Sequence, residues 1–298
     1  MQISRNYSKF ADLNIKCAVL IRTKKELKSL LSSLDKSKGL GLVPTMGALH
    51  KGHASLITKA ISENEMVVVS IFINPTQFNN LEDLKKYPRT LKEDIVLLHE
   101  ISNDIIVFAP TALEIYAENV QSNSYDFNGL DRVMEGEFRD DHFNGVGTVV
   151  EALLTLVNPD KAYFGEKDFQ QLQIIKKLVE IQQIPVKIVG CPIVRETSGL
   201  AMSSRNERLS KALRLEAAFI YKTLKAAKKE FGTKSAKYVM GWVRGQFQGH
   251  PELKLEYFEI TDASTLKPIQ EKQQNTKYRA FVAVYANNIR LIDNIALN

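Results

Sequence analysis

The sequence predicts an α/β protein, a Rossmann-like doubly wound parallel sheet with a smaller C-terminal α+β domain, on three observations. Short apolar runs rich in β-branched residues alternate with stretches whose apolar residues recur at helical spacing. The runs are almost continuously apolar, as strands covered on both faces must be. Beyond residue 191 the alternation stops, and a polar loop leads into two helical stretches and two more strand-like runs.

Taken in order, the predicted parallel strands are 39–45 (GLGLVPT), 66–72 (MVVVSIF), 104–109 (DIIVFA), 161–165 (KAYFG) and 186–191 (VKIVGC). Between them, Leu91, Ile95 and Leu98 mark one amphipathic helix. Val146, Val149, Val150, Leu153, Leu154 and Val157 mark another, which stops at Asn158-Pro159. Right-handed crossovers then place helices on both faces of one sheet. The loop PIVRETSGLAMSSRN, at 192–206, marks the boundary: 1–191 is the expected first domain, with 1–16 as an extension, and 192–298 the second. The second domain is expected to hold helices over 207–231 and 235–248 and strands at 255–260 and 280–285. No internal repeat or low-complexity segment interrupts this pattern.

The 40 Lys and Arg against 34 Asp and Glu leave a net charge of +6, which suits nucleic acid or a small polyanion. The basic residues are scattered, and the densest group, KTLKAAKK at 222–229, has the spacing of a solvated helix face. No nucleic-acid partner is therefore expected. Cys17 and Cys191 have no paired spacing, so neither a zinc site nor a disulfide framework is indicated. The first residues lack a signal-peptide core, and no run approaches the ~18 apolar residues of a spanning helix. A cytoplasmic protein without a membrane partner is the expectation.

Four polar clusters stand at successive predicted strand ends. The first, Pro44 to His53 (PTMGALHKGH), puts an HxGH motif at a strand-to-helix turn, where free N–H groups and close backbone approach at Gly47 and Gly52 favour phosphate. Two imidazoles three residues apart would share one side and donate to a leaving pyrophosphate, unless they merely cap and pack the turn. The second, Asn74-Pro75-Thr76-Gln77, forces the chain out of its strand at the proline and offers an amide to a small acid, or forms a plain loop. In the third, Gly165 to Gln171, Lys167 can neutralise phosphoryl charge. Asp168 either caps the next helix or binds a ribose hydroxyl, and Gln171 follows on nearly the same face. The fourth, Met202 to Asn206, combines two hydroxyls and a guanidinium downstream of Gly199, as a loop closing over triphosphate or as a solvated linker. Together they describe a nucleotide site with little acid/base equipment. A carboxylate nucleophile, already ionised at neutral pH, needs positioning and charge stabilisation more than a base.

The strings PTMGALHKGH, SIFINPTQF, KYPRTLKED, HFNGVGTVV, PDKAYFGEKDFQQLQII and GLAMSSRN resemble, in this order, the signatures of the pantothenate synthetase family, over roughly residues 17 to 295. The resemblance implies a dimeric two-domain ligase with a Rossmann domain of the HxGH nucleotidylyltransferase type and a C-terminal lid. It implies ATP and Mg2+, activation of pantoate as an acyl-adenylate, transfer to β-alanine, and release of pyrophosphate and AMP on the way to coenzyme A. It makes Met46, Gly47, Ala48, Leu49, His50, Lys51, Gly52 and His53 the ATP turn, with His53, His50 and Lys167 catalytic. Gly165, Glu166, Lys167, Asp168, Val194, Met202, Ser203, Ser204 and Arg205 would complete the nucleotide site. Gln77 and Gln171 would hold pantoate, with Gln77 also near β-alanine. Ser198 and Ala152 depart from the family's usual acid and base, and ANNIRLIDNI keeps only RLIDN. Two rivals fit less well. A nucleotidylyltransferase for a phosphorylated alcohol calls for Arg or Lys at Gln77 and Gln171, and a tRNA-dependent protein calls for a basic module that the scattered C-terminal charge does not form.

Overall fold

The computed structural model describes residues 19–35 and 39–298. The extension at 1–16 and Cys17 lie outside them. Six parallel strands form one sheet in the order β1-β4-β3-β2-β5-β6: β1 (Val19–Ile21), β2 (Leu40–Thr45), β3 (Met66–Ile71), β4 (Ile106–Phe108), β5 (Lys161–Gly165) and β6 (Lys187–Cys191). Five of these are the expected strands. The unforeseen one, β1, is a three-residue edge strand paired only with β4, and two of its three residues are exposed, so its apolar signal is brief.

Period-two alternation sorts the sheet's side chains to two buried faces. Leu42 and Val68 pack with helices Lys24–Ser33, His142–Val157 and Phe169–Ile181. Val43, Val67 and Val69 face the other way, against helices Lys51–Glu63 and Leu91–Ile101. Covering on both faces is the physical reason these strands read as unbroken apolar runs. Chain order reverses between β2 and β5, which are neighbours in the sheet. Their carboxyl ends form the switch point at which open α/β sheets bind ligands.

After β6 the helix expected over 207–231 is replaced by three shorter pieces. A 3-10 turn at Ser204–Arg208 precedes helices Lys211–Glu216 and Ala218–Phe231. The Ser210 hydroxyl accepts from the Leu213 amide and starts a fresh helix there, which overrides the continuous pattern. Ser235 likewise caps Ala236–Gln248. Lys222, Lys225, Lys228 and Lys229 are exposed, so the basic group is a solvated face as expected. Three antiparallel strands close the fold: β7 (Leu253–Asp262), β8 (Tyr278–Ala286) and β9 (Ile289–Ala296), the last unforeseen. Phe258, Ile260, Val282 and Val284 pack on the two long C-terminal helices. Tyr257, Phe281 and Ala283, on the opposite face, join the core of the six-stranded sheet. Among the described residues no helix is long and apolar enough to cross a membrane.

Candidate active site

Helix Lys51–Glu63 begins at the carboxyl end of β2 with His50 as its N-cap. The Gly52 amide donates to His50 Nδ1 at 3.1 Å, and the His50 amide donates to His53 Nδ1 at 3.3 Å. This reciprocal arrangement is a capping box written in imidazoles. It requires glycine at 52, where a Cβ would stand 2.8 Å from His50 Cε1. An Nδ1 that accepts a backbone N–H cannot carry the ring proton, so both rings present Nε2–H as donors. Burial, reinforced by Lys167, pushes His50 down to about 4. Burial, His50 and Lys167 push His53 down to about 3. The pair, with ring centroids 4.1 Å apart, is therefore neutral and doubly donating at physiological pH.

Opposite stands the turn Glu166–Asp168 at the end of β5. Lys167 is a mostly buried ammonium whose nearest carboxylate is Asp168, 3.5 Å away. The turn is held from the C-terminal sheet, since Asn294 Nδ2 donates to the carbonyls of Glu166 and Lys167 at 2.9 and 2.8 Å. Arg279 pairs with the Glu166 carboxylate at 3.2 Å. Beside Asn294, buried Asp293 takes a bidentate pair from Arg195 at 2.6 and 2.9 Å. The retained RLIDN string is thus the strand that fixes the lysine turn.

The third wall follows β3. Asn74 Nδ2 donates to Gln77 Oε1 at 3.1 Å and to the Gly145 carbonyl at 3.0 Å, while Gln77 Nε2 points to Met46 Sδ at 2.9 Å. Helix His142–Val157 approaches this turn so closely that a Cβ on Gly145 would lie 2.5 Å from the Thr76 carbonyl oxygen. His142 Nδ1 donates to the Gln77 carbonyl at 2.8 Å, the tautomer opposite to that of the histidine pair. Burial and then Arg139 push it down to about 3. Arg139 reaches the same carbonyl at 3.3 Å and Glu135 at 3.5 Å. Burial opposes ionisation of Glu135, yet Arg290 and Arg139 hold it at about 2.

The fourth wall is the loop after β6. Ser204 Oγ donates to the Ala48 carbonyl at 3.0 Å, tying the loop to the histidine turn. Arg205 and Arg208 both bind the Asp83 carboxylate, each at 2.7 Å.

Met46, His50, Gly52, His53, Gln77, Gly165, Lys167, Asp168, Gln171, Val194, Met202, Ser203, Ser204 and Arg205 all line one cleft at the switch point. Lys167 precedes helix Phe169–Ile181 rather than sharing it with Gln171, but both reach the cleft. Gly47, Ala48, Leu49, Lys51 and Glu166 do not line it: Lys51 is exposed, Glu166 turns to Arg279, and the Ala48 and Leu49 amides are engaged by Asp94. Sequence reasoning gave no role to the cleft residues Asn74, Tyr87, Arg139, His142 and Asn294. Their signal was partly present, since Tyr87 and His142 sit inside the strings KYPRTLKED and HFNGVGTVV, and Asn294 inside RLIDN.

The family model of pantoate-beta-alanine ligase matches residues 19–296. Pantothenate synthetase of Christiangramia forsetii is 58% identical over 92% of this chain and 98% of its own length. That of Flavobacterium psychrophilum is 54% identical over 94% and 99%. Among solved structures, pantothenate synthetase from Thermus thermophilus superposes with a TM-score of 0.86 at 39% identity, covering 94% of this chain and 99% of its own. The pantoate-beta-alanine ligase from Francisella tularensis, complexed with beta-gamma ATP and β-alanine, gives 0.78 at 37% identity over 94% and 98%. Matched by that model along nearly all of its length, and more than half identical to such relatives, this chain belongs to the pantoate–β-alanine ligase family and is a ligase.

Proposed function

We propose that this protein condenses (R)-pantoate with β-alanine at the expense of ATP, through an enzyme-bound pantoyl-adenylate, supplying a coenzyme A precursor. The observation that carries this reading is the pair of neutral, Nε2-protonated imidazoles facing a mostly buried lysine across a switch-point cleft that is walled by amides. In the first step a pantoate carboxylate oxygen attacks the α-phosphorus of ATP and pyrophosphate leaves. No base is needed, because the nucleophile is already ionised. His50 and His53 donate Nε2–H to the phosphate oxygens on which charge accumulates, and Lys167 neutralises that charge. The depressed histidine pKa values suit donors that must not carry charge in the empty site. The negative charge of a bound triphosphate would act in the opposite direction, raising both.

In the second step the β-alanine amine attacks the acyl carbon. The new C–N bond forms, the acyl–phosphate C–O bond breaks, the amine loses a proton and AMP departs. Gln77 and Gln171 hold pantoate by its hydroxyls and carboxylate, with Gln77 also facing β-alanine. Gly165, Asp168, Val194 and Met202 to Arg205 surround the rest of the nucleotide. Mg2+ fits as a companion of the triphosphate. No cluster of three metal-ligating side chains exists among the described residues, and nucleotide-borne Mg2+ needs only one or two carboxylates besides phosphate and water. Asp168 is the partly exposed cleft carboxylate suited to it.

On this reading residues 1–191 form the ATP- and pantoate-binding domain and 192–298 a lid, and the enzyme works in the cytoplasm as a homodimer. The test is release of pyrophosphate and AMP from purified protein with ATP and Mg2+, omitting each co-substrate in turn. Pyrophosphate is expected with pantoate alone, and AMP only once β-alanine is added. Pyrophosphate release that ignores pantoate sinks the assignment.

A further inference from the structure

The turn between β2 and helix Lys51–Glu63 departs from what a phosphate-binding strand-to-helix turn is expected to do. Gly47 and Ala48 both take left-handed backbone, with φ of 78° and 49°. The turn brings the consecutive Ala48 and Leu49 N–H groups into one concavity, as an anion nest does, while the Gly47 N–H donates to Thr45 Oγ1 at 3.2 Å. Here the nest is already filled by the protein itself. Asp94, on the first turn of helix Leu91–Ile101 and 2% exposed, accepts the Leu49 amide on Oδ1 at 2.7 Å and the Ala48 amide on Oδ2 at 3.1 Å. The Thr90 hydroxyl donates to Oδ1 at 3.2 Å and orients the carboxylate. A Cβ on Gly47 would stand 3.0 Å from Oδ2, so glycine is needed at 47 for the carboxylate as well as for the turn.

We infer that Asp94 is a positioning residue, a built-in anion that occupies the backbone nest of the first turn and sets the two imidazoles, so that phosphate is met by side-chain Nε2–H groups instead of main-chain amides. The linkage is short. Leu49 is the residue before His50, and the His50 amide in turn orients His53, so a shift of the Ala48–Leu49 peptide moves both rings. Ala48 would otherwise relax from a conformation that costs a non-glycine residue about 1 kcal/mol or more. Ser204 binds the carbonyl of the same Ala48, so closure of the loop after β6 depends on that peptide's direction too. Asp94 touches no reacting atom on this account; it acts through the turn.

The inference rests on the proposed ligase activity, and the wild-type protein assayed alongside separates the two. Absence of pantoate-dependent pyrophosphate release in wild type overturns the activity, whatever the variants do. Given an active wild type, Asp94→Asn is the isosteric test, since its NH2 group opposes a backbone N–H where an oxygen accepted one. kcat for pyrophosphate release is expected to fall on the order of 100-fold, the scale of a ~1 Å misplacement, with KM for ATP nearly unchanged. Asp94→Ala empties the nest, and added formate, which matches the deleted carboxylate, is expected to restore kcat saturably where chloride does not. A merely structural aspartate would change melting temperature without such rescue. Asp94→Asn turning over at the wild-type rate, or folded Asp94→Ala indifferent to formate, overturns the positioning role.

Discussion

The two turns that face each other across the cleft are held in opposite ways. The histidine turn is largely self-contained: its capping bonds span two and three positions, and its distant supports are Asp94, in a helix covering the same sheet, and the Ser204 hydroxyl on the Ala48 carbonyl. The lysine turn makes almost nothing of its own neighbours. Its carbonyls are satisfied by Asn294, 127 and 128 positions away, and its glutamate by Arg279, 113 away. One proposed catalytic group is thus positioned mainly by local backbone chemistry and the other by the C-terminal sheet. The first is expected to be separable from stability and the second not.

The largest expected effect tests the separable side. His53→Ala removes one Nε2–H donor and the acceptor for the His50 amide. Loss of one preorganised donor costs about 10² to 10³ in rate, whereas loss of a cap costs about 1 kcal/mol of stability. Pantoate-dependent pyrophosphate release should therefore collapse while the urea midpoint moves little. Near-normal turnover would remove His53 from the chemistry, and a collapse of stability would show that the turn is not self-contained.

Asn294→Ala is the matching test across the cleft. It leaves two carbonyls and one guanidinium N–H without their partner in a site where Asn294 is 1% exposed. Unsatisfied buried groups cost about 1–3 kcal/mol each, partly recovered where water enters, so a loss of about 2–3 kcal/mol in urea unfolding is expected. Activity should fall with it, by roughly 10-fold, as Lys167 loses the fixed position proposed for it beside the phosphates. Full activity in a destabilised variant would mean that Lys167 holds its position without β9, and the comparison would fail.

The same contrast explains what could be read in the sequence. The histidine turn, the strand that feeds it and the helix that leaves it form one contiguous string, and period, glycine placement and motif agree within it. The cleft positions of His50, His53, Gln77, Lys167 and Gln171 were legible because each follows a strand end closely, and that of Arg205, in the loop after β6, because it sits in the string GLAMSSRN. β9 was not legible. Its strand carries Arg290, Asp293 and Asn294, whose burial makes sense only beside Glu135, Arg195 and the lysine turn, all far away in the chain. β1 was missed because three residues with one buried side chain give no period. Nor could the sequence show that an aspartate some 45 residues on binds the Ala48 and Leu49 amides. Hydrogen-bond competition between distant segments leaves no periodic trace.

The smallest expected effect concerns the loop that joins the two regions. Arg205 is assigned to the nucleotide, yet its guanidinium is paired with Asp83, which Arg208 also binds. Arg205 therefore meets a phosphate only by sharing or leaving that carboxylate. The pair is about a quarter exposed on each side, so solvent screens it, and its worth lies near the top of the range for surface ion pairs, about 1 kcal/mol. Asp83→Asn keeps the shape, removes the competing charge and leaves an amide oxygen for Arg208. If Arg205 does move to phosphate, KM for ATP should drop by up to roughly fivefold, the equivalent of that 1 kcal/mol, while kcat stays level. A KM that rises instead would mean that Asp83 presents Arg205 to the nucleotide rather than withholding it. The loop would then be preset by the first domain, as the histidine turn is, and not recruited on binding.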